Sequence, residues 1–388
     1  MLPQRSESIS IKMKIAVNTR LLLKDKLEGI GWFSHEVLKR ICQQHPEHQF
    51  YFFFDRKWSD EFIYSDNVKP VLVHPQARHP VLWYMFFEWG VPYALNKSKA
   101  DLFFSPDGWV SLKSGVKQVN VIHDINFFYH PEHIKASVLT YYKKYFPQFA
   151  RKSHRIATVS EFTRNTIIET FNTSPSKIDV VYNGVNEAFK PMQPEQKEKV
   201  KTQYAKQCEY FFFVGLIHPR KNLQNIFKAF DLYKKETGNS HKLVIAGDKK
   251  WWSGVVEIAY NSMAYKDEVI FTGRLEQSEL CNVMAAAHAL LYVSYFEGFG
   301  IPIIEAFRSG TPVITSNVTS MPEVAAGAAL LANPDEPQTI CDRMLELQQP
   351  LERKSCIQKG LKRAEDFSWD QTALKTWNCI EKAMSDEA

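Results

Sequence analysis

Short apolar runs recur along this chain, each bounded by turn residues and separated from the next by a stretch whose apolar positions repeat at helical spacing. Such runs suit strands buried on both faces, and their alternation with helices predicts parallel sheets. In the first half the strands are expected at Lys14–Val17, Phe50–Phe54, Val71–Val73, Leu102–Phe104, Val119–Ile122, Ile156–Val159 and Ile178–Val181. In the second half they are expected at Tyr210–Val214, Leu243–Ala246, Val269–Phe271, Leu290–Val293, Val313–Thr315 and Ala329–Leu331. Each half is a β/α alternation of its own. The expected architecture is therefore α/β, with two doubly wound, Rossmann-like domains facing a central crevice, because such sheets bind ligands at their carboxyl ends.

The stretch YNGVNEAFKPMQPE, Tyr182–Glu195, combines turn residues and prolines with little periodicity and marks the join. This gives an N-terminal domain over residues 1–190, a C-terminal domain over 191–368, and a last helical stretch, 369–388, expected to pack back on the first domain. A length of 388 residues suits two such domains. The net charge of +5 is small for this length and is not gathered into one basic run, so nucleic acid is not an expected partner, whereas a small anionic substrate is. The six cysteines stand singly, without a CxxC pair or a zinc-like spacing, as reduced cytosolic thiols do. The N-terminus is polar before its first apolar stretch and does not read as a secretory signal. The aromatic run Val81–Phe87 is too short to span a bilayer. The expected location is cytoplasmic, either soluble or peripheral on the inner face of the membrane.

Chemistry concentrates in the second half. The segment EGFGIPIIE, Glu297–Glu305, follows an expected strand and leads into an apolar-periodic stretch, so it reads as a glycine turn with a helix opening near Ile301. Pro302 falls in the first turn, where its missing N–H costs nothing. A helix start leaves N–H groups unpaired at the positive end of the dipole, and Gly298 and Gly300 let the backbone approach a ligand, which suits a phosphate. Carboxylates at such a place repel an anion unless they face hydroxyls, so the pair suggests a sugar attached to a phosphate. The plain alternative is an ordinary strand-to-helix turn with two surface glutamates.

The second signal is GLIHPRKN, Gly215–Asn222, between a strand and a helix beginning near Leu223. Arg220 and Lys221 then sit at a carboxyl strand end, where two cations bind a diphosphate and stabilise the charge of its departure. Read alone, the pair is also compatible with surface charge. No Asp-x-Asp occurs in the chain, and the two cations with a helix start form a coherent diphosphate site without a metal. In the N-terminal half, EGIGWF reads as a glycine turn before a helix of about Phe33–Cys42, either an anion cradle or a plain turn. VIHDINFFYHPE puts His123 past a strand end, as an acid, a base or a donor to a sugar hydroxyl, or as a structural histidine.

These motifs, together with IATVSEFTR (Ile156–Arg164), VYNGV (Val181–Val185), TSMPEV (Thr319–Val324) and FSWD, resemble those of the retaining glycosyltransferases of family 4, over nearly the whole chain. The Glu-x7-Glu segment continuing into EGFGIPIIEAFRSGTPVITS is the most specific part. The resemblance implies the GT-B fold and metal-independent transfer of a hexose, with retention, from a nucleotide-diphosphate sugar to a saccharide or lipid-linked saccharide, with no cofactor. It places Glu297 against hydroxyls of the transferred sugar and Glu305 on the ribose. Arg220 and Lys221 would hold the diphosphate with N–H groups of Phe299, Gly300 and Ile301. His123 would lie near the sugar, the Gly29–Gly31 loop beside the phosphates or acceptor, and Arg274 near the base. HPRKN is similar to a mannosyltransferase-like subgroup of polysaccharide biosynthesis, so GDP-mannose is the expected donor and a UDP-sugar the alternative. Leu216 stands where some members carry a third cation. Other functions weighed on the same architecture are a nucleotide-sugar epimerase, a phosphorylase-like protein, whose cofactor lysine has no recognisable context here, and a non-catalytic sugar-nucleotide-binding partner. Two stretches, His79–Lys97 and Tyr141–Arg155, mix aromatic and basic residues, as half-buried helices and membrane-surface helices both do.

Overall fold

The computed structural model describes residues 12–248, 252 and 254–385. The chain divides into two compact units: the described residues of Met1–Thr158, Arg164–Val181 and Asp370–Ala388 form the first, and Val159–Thr163 with Tyr182–Trp369 the second. The division falls at Val181/Tyr182, earlier than the expected 190. Phe189 explains the difference, since it is fully buried, and Pro191 packs beside Gly310 of the second unit. The terminal helix, Trp369–Met384, begins in the second unit and continues in the first.

The first unit is built on a seven-stranded sheet. Its strands are β1 (Lys14–Asn18), β2 (Gln49–Phe54), β3 (Val68–Leu72), β4 (Leu102–Ser105), β5 (Lys117–Ile122), β6 (Arg155–Thr158) and β7 (Ile178–Val180), in the order β3-β2-β1-β4-β5-β6-β7. Every pairing is parallel. The second unit has six strands, also all parallel: β8 (Tyr210–Val214), β9 (Lys242–Ala246), β10 (Val269–Gly273), β11 (Ala289–Tyr292), β12 (Val313–Ser316) and β13 (Leu330–Ala332). Their order is β10-β9-β8-β11-β12-β13.

Parallel neighbours need a crossover, and the intervening helices supply it and cover the sheets. The central strands are accordingly apolar and buried along their length, as in LFFS of β4 and ALLY of β11. Each unit has its own core. Phe53, Phe86, Phe103, Trp109 and Phe149 belong to the first, and Phe211, Phe227, Leu243, Leu291 and Ile314 to the second.

Strand order reverses between β1 and β4 in the first unit and between β8 and β11 in the second. At such a switch point the following loops diverge to opposite faces and open a crevice at the carboxyl ends. The loops after β8 and β11 carry the two strongest sequence signals.

Candidate active site

After β8 the chain turns through a single 3-10 turn, Pro219–Lys221, and the helix Leu223–Thr237 follows. His218 fixes the turn by accepting the Arg220 N–H on Nδ1 at 3.1 Å. Asn222 has left-handed backbone, φ 61°, and its amide donates to the carbonyls of Val293 and Pro334 at 3.0 and 2.7 Å. The carbonyl of Arg220 accepts the Tyr295 N–H at 2.9 Å. The loop after β8 is thereby tied to the loop after β11, and both cations are held against Glu297.

Glu297 is buried, with 7% exposure. Its Oε1 accepts from Lys221 Nζ at 2.7 Å, and its Oε2 pairs with Arg220 at 2.9 Å. Lys221 also donates to the Tyr292 hydroxyl at 2.7 Å, and Arg220 donates to the Phe296 carbonyl. Burial pushes the Glu297 carboxyl up, but Arg220 and then Lys221 outweigh it and hold the group at about 2. The three residues form an enclosed cluster of net charge +1 (two cations, one carboxylate). A dianionic group entering beside them meets donors already fixed in place, with no reorganisation left to make.

The segment 297–300 is held by hydroxyls on its other side. Thr319 Oγ1 accepts the Glu297 N–H at 3.3 Å. Ser320 donates to the carbonyls of Glu297 and Phe299 at 2.9 and 3.1 Å, and Ser160 to that of Gly298 at 2.7 Å. With the carbonyls of Glu297, Gly298 and Phe299 satisfied in this way, the chain turns at Gly300 into the helix Ile301–Arg308. Gly300 caps that helix at φ 98°, a conformation that disfavours any side chain. Pro302 stands in the first turn and offers no N–H. A helix start therefore stands at Ile301 as expected, with Phe299 and Gly300 leading into it.

Glu305 lies one turn further on, partly exposed, and no hydrogen bond or ion pair of its carboxyl is seen among the described residues. Burial pushes that carboxyl up to about 8. The two glutamates of the motif are thus in opposite electrostatic states. Glu297 is firmly ionised by its cations, and Glu305 is protonated at neutral pH until hydroxyl donors reach it. Arg274 is exposed just after β10, the edge strand two places from β8.

In the first unit, His123 follows β5. Its Nε2 is 2.8 Å from the Pro106 carbonyl, and its ring meets Phe33 edge-on at 4.9 Å. Burial lowers its pKa; the Pro106 bond and the carboxylates of Asp124 and Asp107 pull the other way. The ring is neutral and donates its Nε2–H to Pro106. The expected loop at Gly29 and Gly31 requires a correction: the helix begins at Gly29 and runs to Gln44, so both glycines lie in its first turn. Gly31 is there for packing, since a Cβ would stand 3.1 Å from both the Leu21 carbonyl oxygen and Leu27 Cδ2.

Several residues of these sites were not singled out from the sequence. At the first unit's switch point, Asn18 donates to Ser105 and Asp107 at 3.0 and 2.8 Å, and Arg20 donates to Asp107 at 2.6 Å while lying 4.9 Å from the Trp109 ring. These partners are nearly ninety residues apart and share no local pattern. Ser160, Thr319 and Ser320 sit within IATVSEFTR and TSMPEV, motifs visible in sequence whose hydroxyls gave no hint of what they hold. Glu323 in the second motif accepts the N–H groups of Glu161 and Phe162 at 2.8 and 3.0 Å, capping the helix Glu161–Phe171.

Comparison with known proteins bears on the family and the fold. The model for glycosyl transferases group 1 matches residues 194–363, and that for glycosyltransferase family 4 matches residues 28–189. The chain is 28% identical to an O-antigen chain mannosyltransferase B of Escherichia coli, over 94% of this chain and 99% of that one. It is 31% identical to the O-antigen chain mannosyltransferase RfbU of Salmonella typhimurium, over 66% of this chain and 68% of that protein. Among solved structures, a sucrose-phosphate synthase from Thermosynechococcus elongatus superposes with a TM-score of 0.79 at 14% identity, over 97% of this chain and all of that one.

Proposed function

Since the chain belongs to the family 4 glycosyltransferases and has their GT-B fold of two Rossmann-like units, we propose that it transfers mannose from GDP-mannose to a saccharide or lipid-linked saccharide during polysaccharide assembly, with retention and without a metal. The observation that carries this reading is the Glu297 carboxylate clamped between Arg220 and Lys221 beside the helix start at Ile301. The named activities of the two bacterial mannosyltransferases favour the sugar. A UDP-sugar is the alternative donor.

Cleavage of the glycosyl–phosphate bond develops positive charge at the sugar carbon and negative charge on the diphosphate. Arg220, Lys221 and the N–H groups of Phe299, Gly300 and Ile301 stabilise the departing diphosphate. Glu297 orients both cations and presents its remaining acceptor capacity to the sugar hydroxyls. Glu305 accepts from the ribose hydroxyls. The acceptor attacks from the face the diphosphate leaves, and the leaving phosphate takes its proton. As roles carried over from the family resemblance, we assign His123 to the sugar and the helix start at Gly29–Gly31 to the phosphates or acceptor. Arg274 we assign to the base. The support for a metal-free diphosphate site is the adjacent cation pair together with the lack of any Asp-x-Asp in the chain.

The deciding experiment incubates the enzyme with GDP-mannose and mannoside acceptors, with and without a chelator, and reads the anomeric configuration of the product by NMR. Chelator-resistant formation of an α-mannoside is expected. A β-product, or dependence on added divalent metal, overturns the corresponding part of the reading. Conversion of the donor in the absence of acceptor would point to an epimerase instead.

The acceptor side includes a membrane surface. No helix among the described residues is long and apolar enough to cross a bilayer. In the stretch 80–98, however, Phe86, Phe87 and Val91 enter the core while Val81, Trp89 and Tyr93 stay 64%, 54% and 71% exposed, with Lys113 over the Trp89 ring. Three exposed apolar anchors beside a cation suit an interfacial contact. The helix Ala136–Lys152, by contrast, buries Tyr141, Phe146 and Phe149. Sedimentation with anionic liposomes at low salt, lost in a Trp89→Ala/Tyr93→Ala variant, is expected; no binding by the parent protein overturns this contact.

A further inference from the structure

The second unit has a recess of about 360 Å³ at the amino ends of its strands, the opposite end of the sheet from Arg220 and Lys221. Glu209, His241 and His288 each stand immediately before a strand, at β8, β9 and β11. Lys197 and Lys201 reach in from the helix Pro194–Ala205, and Arg353 from the helix Pro350–Ala364.

The charges in this recess do not cancel. Lys201 is paired with Glu209 and with Glu198. Among the described residues Lys197 has no ion pair, and neither has Arg353. Arg353 makes only a long 3.5 Å bond to the His288 carbonyl, and its Nε is buried without any hydrogen-bond partner. A guanidinium donor enclosed in this way carries an uncompensated desolvation cost until an acceptor arrives. Burial lowers the pKa of Lys197, with Arg353 adding to the effect, and burial lowers that of Arg353 itself. Both histidines are shifted downward as well, first by burial, so they are neutral donors or acceptors at pH 7. His241 is already bound to the Tyr233 hydroxyl at 2.8 Å. Taken as a lining, the recess offers three cations, one carboxylate and two neutral imidazoles.

A carboxylate beside Lys197 and Arg353 would be the simplest way to neutralise such a site within the protein, but Glu198 and Glu209 both pair with Lys201 and, among the described residues, no other carboxylate lines the recess. We propose that the recess binds a phosphate dianion, free or carried as the monoester of a small molecule, at a site separate from the nucleotide-sugar site. Tetrahedral oxygens satisfy the planar guanidinium and the Lys197 ammonium together, which a monovalent halide cannot do. The volume accommodates a phosphate with a few further atoms. Occupancy joins the helices Pro194–Ala205 and Pro350–Ala364 across the amino end of the sheet and stabilises the second unit.

The test is thermal unfolding of the full chain in orthophosphate and in glycerol 3-phosphate, against chloride of matched ionic strength. At a hundredfold excess over Kd the melting point is expected to rise on the order of 5 °C. A Lys197→Gln/Arg353→Gln variant should lose that rise and keep the full shift given by GDP or UDP at the other end of the sheet. Lys197→Gln alone, which removes no partner from any residue, should weaken the phosphate response about tenfold. Equal phosphate shifts in parent and variants would place the anion at the Arg220–Lys221 clamp and overturn the proposal. No shift beyond that of chloride would overturn it as well. A larger shift with the ester than with orthophosphate identifies a phosphorylated small molecule as the ligand; equal shifts identify inorganic phosphate.

Discussion

Glu297 illustrates how a single side chain sets the electrostatics of a site. Its pKa is depressed from 4.5 to about 2. Its ion pairs therefore contribute stability that is complete above pH 4.5 and lost as pH falls through 2. A depression of this size corresponds to roughly 3 kcal/mol. Glu297→Gln should lower stability at pH 7 by about that amount, since two half-buried cations lose their counter-charge, and the gap should close in acid; urea unfolding between pH 7 and 2.5 measures it. Transfer should fall on the order of 100-fold or more, with GDP or UDP binding retained. Unchanged turnover would remove Glu297 from the reaction.

Glu305 titrates in the other direction. Its folded pKa is raised to about 8, so its contribution to stability is complete below pH 4.5 and is lost as pH rises through 8. Hydroxyls that donate to it favour the ionised form. Donor binding at pH 7 should then release close to one proton, visible as a dependence of calorimetric heat on the buffer's ionisation enthalpy. Glu305→Gln should abolish the release. Both glutamates and both cations were legible in sequence because each lies in a short local motif. Their opposite ionisation was not, because it depends on Glu297 meeting cations 76 and 77 positions earlier in the chain while Glu305 meets none.

At the level of elements, the expected strands are all found, because strands buried on both faces must be apolar throughout. The largest displacement is β3, expected at Val71–Val73 and found at Val68–Leu72. It is an edge strand, and its Lys69 and Pro70 interrupt the apolar run at positions an edge tolerates. The helix at Gly29 began earlier than expected because two glycines read as a turn, although here Gly31 admits close packing against Leu21 and Leu27. Gly247 shows a glycine that packing does require. It follows β9 at φ 152°, and a Cβ there would lie 1.9 Å from the Gly215 carbonyl oxygen. Gly247→Ala should cost about 3 kcal/mol by denaturant unfolding. It should also weaken GDP or UDP binding, because Gly215 opens the loop that carries Arg220 and Lys221. A variant that unfolds at the parent's denaturant concentration would show that the backbone there yields more readily than its contacts imply.

For the molecule as a whole, the arrangement of the chain matters as much as its folds. The terminal helix closes the first unit: Trp377 stacks on His45 at 3.7 Å, Lys382 pairs with Asp179 at 2.7 Å, and Lys117 donates to the Met384 carbonyl. Removal of residues 370–388 should therefore expose the first unit, which is remote in sequence, while the second keeps its protection. Hydrogen exchange followed by mass spectrometry distinguishes this from general destabilisation. Faster exchange should be confined to the helix Gly29–Gln44 and to β5, β6 and β7. The sequence pointed to this return through the helical spacing of Trp369–Met384, but the partners that receive it lie more than 200 positions away and left no local mark.

The same closure bears on synthesis. The second unit has all of its residues once Trp369 has been made, whereas the first, although its strands come earlier in the chain, lacks the terminal helix until the residues after Trp369 follow. The unit translated first is completed last, and during elongation its surface around His45 and Asp179 waits, uncovered, for a segment still to be made.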